Sequence, residues 1–141
     1  MKVTYENDEH QDDPDNGGDF SSISDVLRLL DEQPPYRRRP FSFHLINERG
    51  LWLTVGIERK FGFVQHEEDE GGPYFLALDR ATAQVSTSNM EFMVGGTPTP
   101  IPGRFRVSVD KLKRIVQEWL TTGARSNEVE WEIVGAQFWA G

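Results

Sequence analysis

The side chains of this chain best suited to chemistry are three histidines (His10, His44 and His66), eight serines and 23 carboxylates. There is no cysteine, which removes thiolate catalysis, disulfides and cysteine-ligated zinc. No two histidines stand four residues apart, the helical spacing that puts two metal ligands on one face. "HEEDE" (66–70) carries half of a zinc-protease signature. Its second histidine is missing, and it runs into Gly71, Gly72 and Pro73 instead of continuing as a helix. "DDPDNGGD" (12–19) and "EEDEGG" (67–72) offer oxygens to calcium, but neither has the acid register of a dedicated calcium loop. None of the serines lies in a Gly-x-Ser-x-Gly elbow. Spacing alone nominates no pair of carboxylates as acid and base. "GGTPTPIPG" (95–103) has no lysine and opens no helix at its glycines, so it is not a phosphate cradle. The chain therefore reads as noncatalytic, with no metal and no cofactor.

The remaining signal is "VQHEEDEGGPYFLAL" (64–78), in which Glu67, Glu68, Asp69 and Glu70 stand together beside Tyr74 and Phe75. Four adjacent like charges repel one another, so the loop is expected to be exposed. Two readings stand. One is a solvated hairpin tip that discourages edge-to-edge aggregation. The other is a charged finger that enters a basic cleft, with Tyr74 as an amphipathic anchor. The net charge of −8 is uneven: seven acids and no Lys or Arg lie between Glu6 and Asp19, whereas "RRR" (37–39) and "KLKR" (111–114) are basic. Net acidity argues against direct nucleic-acid binding, which needs a Lys/Arg field, and suits a basic protein partner.

The elements that must position these residues follow from length and periodicity. A chain of 141 residues is expected to form one domain over residues 1–141, large enough to bury a core without a metal or disulfide. "MKVTYENDEHQDD" lacks a signal-peptide core, and no segment approaches the ~20 apolar residues of a membrane span. A cytoplasmic protein without membrane contact is the expectation.

"MKVTYE" alternates as a short strand. Residues 7–19 contain no large apolar side chain and are expected to be a flexible acidic segment. Ser22 and Asp25 form a capping box ahead of Ile23, Val26, Leu27 and Leu30, and "QPPY" (33–36) ends that helix. "FSFHLI" (41–46), "LWLTVGIE" (51–58), "FGFVQ" (61–65), "PYFLAL" (73–78) and residues 90–94 read as strands. The proline-rich residues 95–103 read as a connection, and "FRV" (105–107) as a brief edge pairing. Ser108 caps a second helix whose stripe is Leu112, Ile115, Val116, Trp119 and Leu120, with Gly123 at its C′ position. "EVEWEIV" (128–134) is a last strand. It sets Trp131 on the core side, and "GAQFWAG" (135–141) follows as a tail with Phe138 and Trp139. The predicted fold is α+β: a mainly antiparallel sheet of about six strands with two helices packed on one face.

Over residues 20–134 the chain resembles the immunity-protein family, the first of the numbered Imm families, of bacterial polymorphic toxin systems. The likeness rests on "SSISDVLRLLDE", "LWLTVGI", "GGPYFLAL", "IPGRFRVSVDKLKRIVQEWLTTG" and above all "VEWE" (129–132), whose Trp131 takes the place of a recurring tryptophan in the last strand. The resemblance implies an antitoxin that neutralises the C-terminal domain of a cognate toxin, often a nucleic-acid deaminase. With it, Glu67, Glu68, Asp69, Glu70 and Tyr74 become the expected toxin-binding residues. The alternative reading is a small acidic regulatory or scaffold module that recognises a basic protein segment, using an exposed sheet edge.

Overall fold

The computed structural model describes residues 1–7, 12–32, 40–69, 71–83, 88–94 and 96–134. The strands are β1 (Val3–Glu6), β2 (Asp19–Phe20), β3 (Ser42–Ile46), β4 (Trp52–Glu58), β5 (Phe61–Glu67), β6 (Tyr74–Leu78), β7 (Met90–Val94), β8 (Thr97–Ile101), β9 (Val107–Ser108) and β10 (Glu130–Val134). The helices are α1 (Ile23–Asp31), the short α2 (Arg80–Ala83) and α3 (Val109–Thr122), with a 3-10 turn at Gly103–Phe105. Eight strands form one antiparallel sheet in the order β10-β6-β5-β4-β3-β1-β2, and β9 joins β5 at Phe61 and Gly62, beyond the end of β6. β7 and β8 form a separate two-stranded ribbon. The fold is α+β and mainly antiparallel, as its alternation predicts, with more strands than the expected six.

Alternation assigns the two faces. Val3, Tyr5, Phe43, Leu45, Leu53, Val55, Val64 and Ala77 point to one side and are buried there against Val26, Leu29 and Leu30 of α1 and Leu112, Ile115, Val116 and Trp119 of α3. Both long helices therefore cover the same face, and α1 touches α3. Their N-caps and the stop of α3 are the expected ones. Ser22 Oγ accepts the Asp25 amide at 3.1 Å and Ser108 Oγ accepts the Lys111 amide at 3.4 Å. Gly123 closes α3 at φ 73°, a left-handed position that favours glycine. The four fully buried α3 side chains contribute roughly 6–12 kcal/mol of gross burial, before chain entropy is counted against them.

On the opposite face the ribbon covers one end only. Phe63 and Leu76 meet Met90, Phe92, Ile101 and Phe105 in a second core, with Phe63 and Phe92 edge to face at 4.9 Å. Gly56 makes room for this layer. A Cβ there would lie 2.3 Å from the Phe63 ring and 2.8 Å from the Phe92 ring. Met93 N–H donates to the Pro40 carbonyl at 2.9 Å and ties the ribbon to the start of β3.

Two local expectations change. Residues 97–101, read as a connection, form β8. Pro98 and Pro100 occupy alternate exposed positions of an edge strand, where a missing N–H breaks no ladder bond, while Thr99 and Ile101 are buried. Of the acidic segment, residues 12–19 are tied to β1 instead of hanging free. The Asp13 carboxylate accepts from Tyr5 Oη and Asn7 Nδ2, both at 3.0 Å, and Asn16 bonds both backbone groups of Asn7. Polar side chains here supply the order that apolar burial does not. Residues 8–11, "QPPY" with the arginines that follow it, and 135–141 with Phe138 and Trp139 lie outside the described residues.

Candidate functional site: the acidic turn and the open sheet face

The turn between β5 and β6 is built by its own acids. Glu67, the last residue of β5, faces Tyr74 across the pair, and its Oε1 accepts the Gly71 amide at 3.0 Å. Glu68 N–H donates to the Pro73 carbonyl at 3.0 Å, and Gly72 N–H to the Asp69 carbonyl at 2.9 Å. The Glu68 carboxylate lies 3.4 Å from Arg125 Nε, and that guanidinium sits 3.8 Å above the Phe75 ring. Asp69 is exposed at the tip, and Glu70 is outside the described residues. Two of the four acids thus shape the turn, and Asp69 is left projecting from it.

The register extends this site across the sheet. Thr4, Ile46 and Trp52 lie side by side, Trp52 comes beside Glu67 one step beyond the Leu53–His66 pair, and Glu67 continues into Tyr74 and Val134. This row crosses six strands on the face away from the helices; Val134 packs against the second core, and the row from Thr4 to Tyr74 lies at the end that the ribbon leaves open. Trp52 is 37% exposed, while Ile46, Glu67, Tyr74 and Val134 are half-buried. The Trp52 ring is held by His44, centroid to centroid at 4.6 Å, and His44 Nδ1 is 2.9 Å from Thr54 Oγ1. Aromatics braced in this way lose little side-chain entropy on binding, which is why Trp and Tyr dominate binding hot spots.

His66 points the other way, under the helices. It is 3% exposed, its ring stands edge to face with Trp131 at 6.1 Å, and its Nδ1 is 3.6 Å from Glu68 Oε2. Burial lowers its pKa below the ordinary histidine value. Glu68 opposes that shift, Arg125 reinforces it, and the Gly123 backbone favours the charged form. Because Glu67 faces the opposite side of β5, the two residues do not converge on a metal. Among the described residues no group of three or more His, Cys, Asp or Glu is placed to hold one. The alternation Gly62, Val64, His66 against Phe61, Phe63, Gln65 was the available signal that His66 belongs to the helix face.

Trp131 is half-buried against the main core and donates from Nε1 to the Ser126 carbonyl at 2.9 Å. It staples the α3–β10 connection to β10. The chain matches the family model described as immunity protein Imm1 over residues 15–132. The chain belongs to the Imm1 immunity-protein family. The matched segment contains α1, the acidic turn, Trp52, Tyr74, α3 and Trp131. No curated protein matches the chain. Membership in the Imm1 family supports an immunity role, that is, binding to a cognate toxin. No helix among the described residues of this Imm1 protein is long and apolar enough to cross a membrane.

Of the residues expected to bind a toxin, Glu67, Glu68, Asp69 and Tyr74 come together at one end of the sheet. Sequence reasoning missed the row to which they belong. Trp52, Ile46 and Val134 are 15, 21 and 67 positions from Glu67 in the chain, and only strand register places them beside it.

Proposed function

We propose that this Imm1 protein neutralises its toxin without catalysis, by placing the acidic turn in the toxin's substrate channel and seating Trp52 and Tyr74 against the channel wall. The observation that carries this reading is the continuity of the acidic tip with an exposed aromatic row at the end of the sheet face that the ribbon, among the described elements, leaves open. A channel that receives a polyanion is lined with cations, so an exposed acidic tip competes for it directly. The toxin chemistry that fits best is nucleic-acid deamination, and the basic C-terminal toxin domain is the partner. The proposed setting is the cytoplasm of the producing cell, with residues 1–141 acting as one domain.

Glu67 and Glu68 support this reading indirectly. By fixing the turn before binding, they reduce the ordering cost of association. Steady-state kinetics of the toxin domain on a nucleic-acid substrate test it. Active-site occlusion predicts an apparent KM that rises with the concentration of this protein while kcat stays constant. A fall in kcat at constant KM would move the contact to a distal surface.

A second reading, capture of a basic peptide by strand addition, has one observation in its favour. β10 is the outermost strand of the described sheet, and Ile133 is 67% exposed on it. A basic peptide that binds with unchanged strength after Trp52→Ala would favour the edge over the face.

A further inference from the structure

Four buried side-chain polar atoms among the described residues have no hydrogen-bond partner, and two of them are the ring nitrogens of His66. Neither nitrogen makes a full hydrogen bond, and Glu68 Oε2 at 3.6 Å from Nδ1, with the Gly123 backbone nearby, offsets the lost solvation only in part. His66 lines a cleft of 490 Å³ between the β3–β4 turn, the acidic turn and the C-terminal end of α3. That volume falls within the range of small-ligand sites.

The charges around this cleft differ from those of the protein as a whole. Arg49 stands on one rim, exposed, and its side chain makes no ion pair among the described residues. Arg125 stands on the other, one-third exposed, engaged with Glu68 through Nε and with the Phe75 ring. Among the described residues Glu68 is the one carboxylate lining the cleft, and Trp131, Leu51 and Val129 add apolar wall. With His66 neutral, two guanidinium charges face one carboxylate, a net positive cleft in a chain whose formal charge is −8. The carbonyl end of α3 at Thr122 and Gly123 opposes an anion and weakens its binding here.

We propose that this cleft is an oxyanion-binding site whose occupant is a carboxylate carried by the bound partner, held between Arg49 and Arg125 and accepting a hydrogen bond from His66. The apolar wall suits the methylenes of an aspartate or glutamate side chain. A site of this sign beside the acidic turn fixes the partner's orientation, because basic and acidic groups of the partner must dock at neighbouring points. The choice of a partner's carboxylate rests on the binding reading above, whereas the cleft's preference for an oxyanion does not. An anion beside His66 favours the imidazolium, so occupancy takes up a proton and tightens as the pH falls toward the carboxylate range.

Proton NMR of the intact protein, titrated separately with sodium acetate, inorganic phosphate and sodium chloride at matched ionic strength, tests this without any partner. The expected result is a saturable shift of the His66 ring signals with acetate and a higher His66 pKa in its presence, with His44, on the other face, unmoved. Arg49→Gln, a change at an exposed rim, should weaken the acetate response at least about fivefold, as expected for the loss of a charge-assisted contact. A phosphate response stronger than the acetate response would overturn the carboxylate assignment and make the occupant a phosphate group. His66 signals that follow chloride and acetate alike would overturn the site itself. Neither outcome bears on whether the protein captures a toxin.

Discussion

Glu67 and Tyr74 face each other across the β5–β6 pair, and the same Glu67 carboxylate holds the Gly71 amide at 3.0 Å. One residue therefore joins the aromatic row to the acidic turn. Its charge serves the shape of the turn, while the charge offered to a partner lies further along, at Asp69.

This division separates the effects of two neighbouring substitutions. Glu67→Ala removes the bond to Gly71 and should lower stability by about 0.5–1.5 kcal/mol in urea unfolding. Asp69→Ser should leave unfolding unchanged and instead weaken toxin binding and flatten its salt dependence. Equal stability losses in the two variants would contradict the assignment.

Trp52 and Tyr74 are the aromatic anchors of the proposed face. Alanine at either position should weaken toxin binding by about 2 kcal/mol, roughly 30-fold, while the far-ultraviolet circular dichroism stays as it is. Phe61 serves as a control. It is exposed to the same extent as Trp52, at 37%, but lies at the opposite end of β5. Phe61→Ala should leave binding unaffected.

Gly56 tests the packing of the ribbon on the sheet. Its Cβ in Gly56→Ala would overlap the Phe63 and Phe92 rings. Overpacking of this kind costs about 1–3 kcal/mol, to be read from urea midpoints. Because the open end of the face is untouched, the folded fraction should bind toxin with wild-type affinity.

Asp79 sets a pH limit on stability. Burial would raise its pKa, but hydrogen bonds from Thr82 Oγ1 at 2.7 Å and Lys111 Nζ at 3.1 Å, with the Lys111 charge, override that and hold it below the ordinary value of 3.8. The folded state thus favours the carboxylate more than the unfolded chain does. The resulting stability is present above pH 3.8 and is lost as the pH falls through the lower folded value. Asp79→Asn should be less stable at pH 6 and show a flatter loss of stability below pH 3.8. A parallel curve would place the acid sensitivity elsewhere.

Much of this architecture was legible in the sequence because it depends on local periodicity. The α3 stripe, its Ser108 cap and Gly123 stop, and the alternation of β3 to β6 are each written within a dozen residues. The reach of the acidic turn could be read as exposed for the same reason. The row from Ile46 through Trp52 to Tyr74 and Val134 could not, since it exists only through register between strands far apart in the chain. β8 was hidden by its prolines, which are tolerated because the strand has a free side. The ordering of residues 12–19 was hidden because it rests on Asp13 and Asn16 bonding back to β1, and composition alone scores such residues as loop. The sequence around His66 carries half of a metal motif without its second histidine, and the burial of His66 beside α3 and Trp131 is visible only once β5 has two assigned faces.

Capture of a toxin by the acidic turn and its aromatic row is open to calorimetric titration. The intact protein would be titrated against its cognate toxin domain, at low and at high salt, in wild-type form and as the Asp69→Ser, Trp52→Ala double variant. Tight binding that weakens as salt rises is expected, and in the double variant a much weaker affinity with a smaller salt slope. Wild-type affinity and salt slope in the double variant would place the toxin contact elsewhere on the protein, and absence of binding at either salt would remove the toxin as its partner.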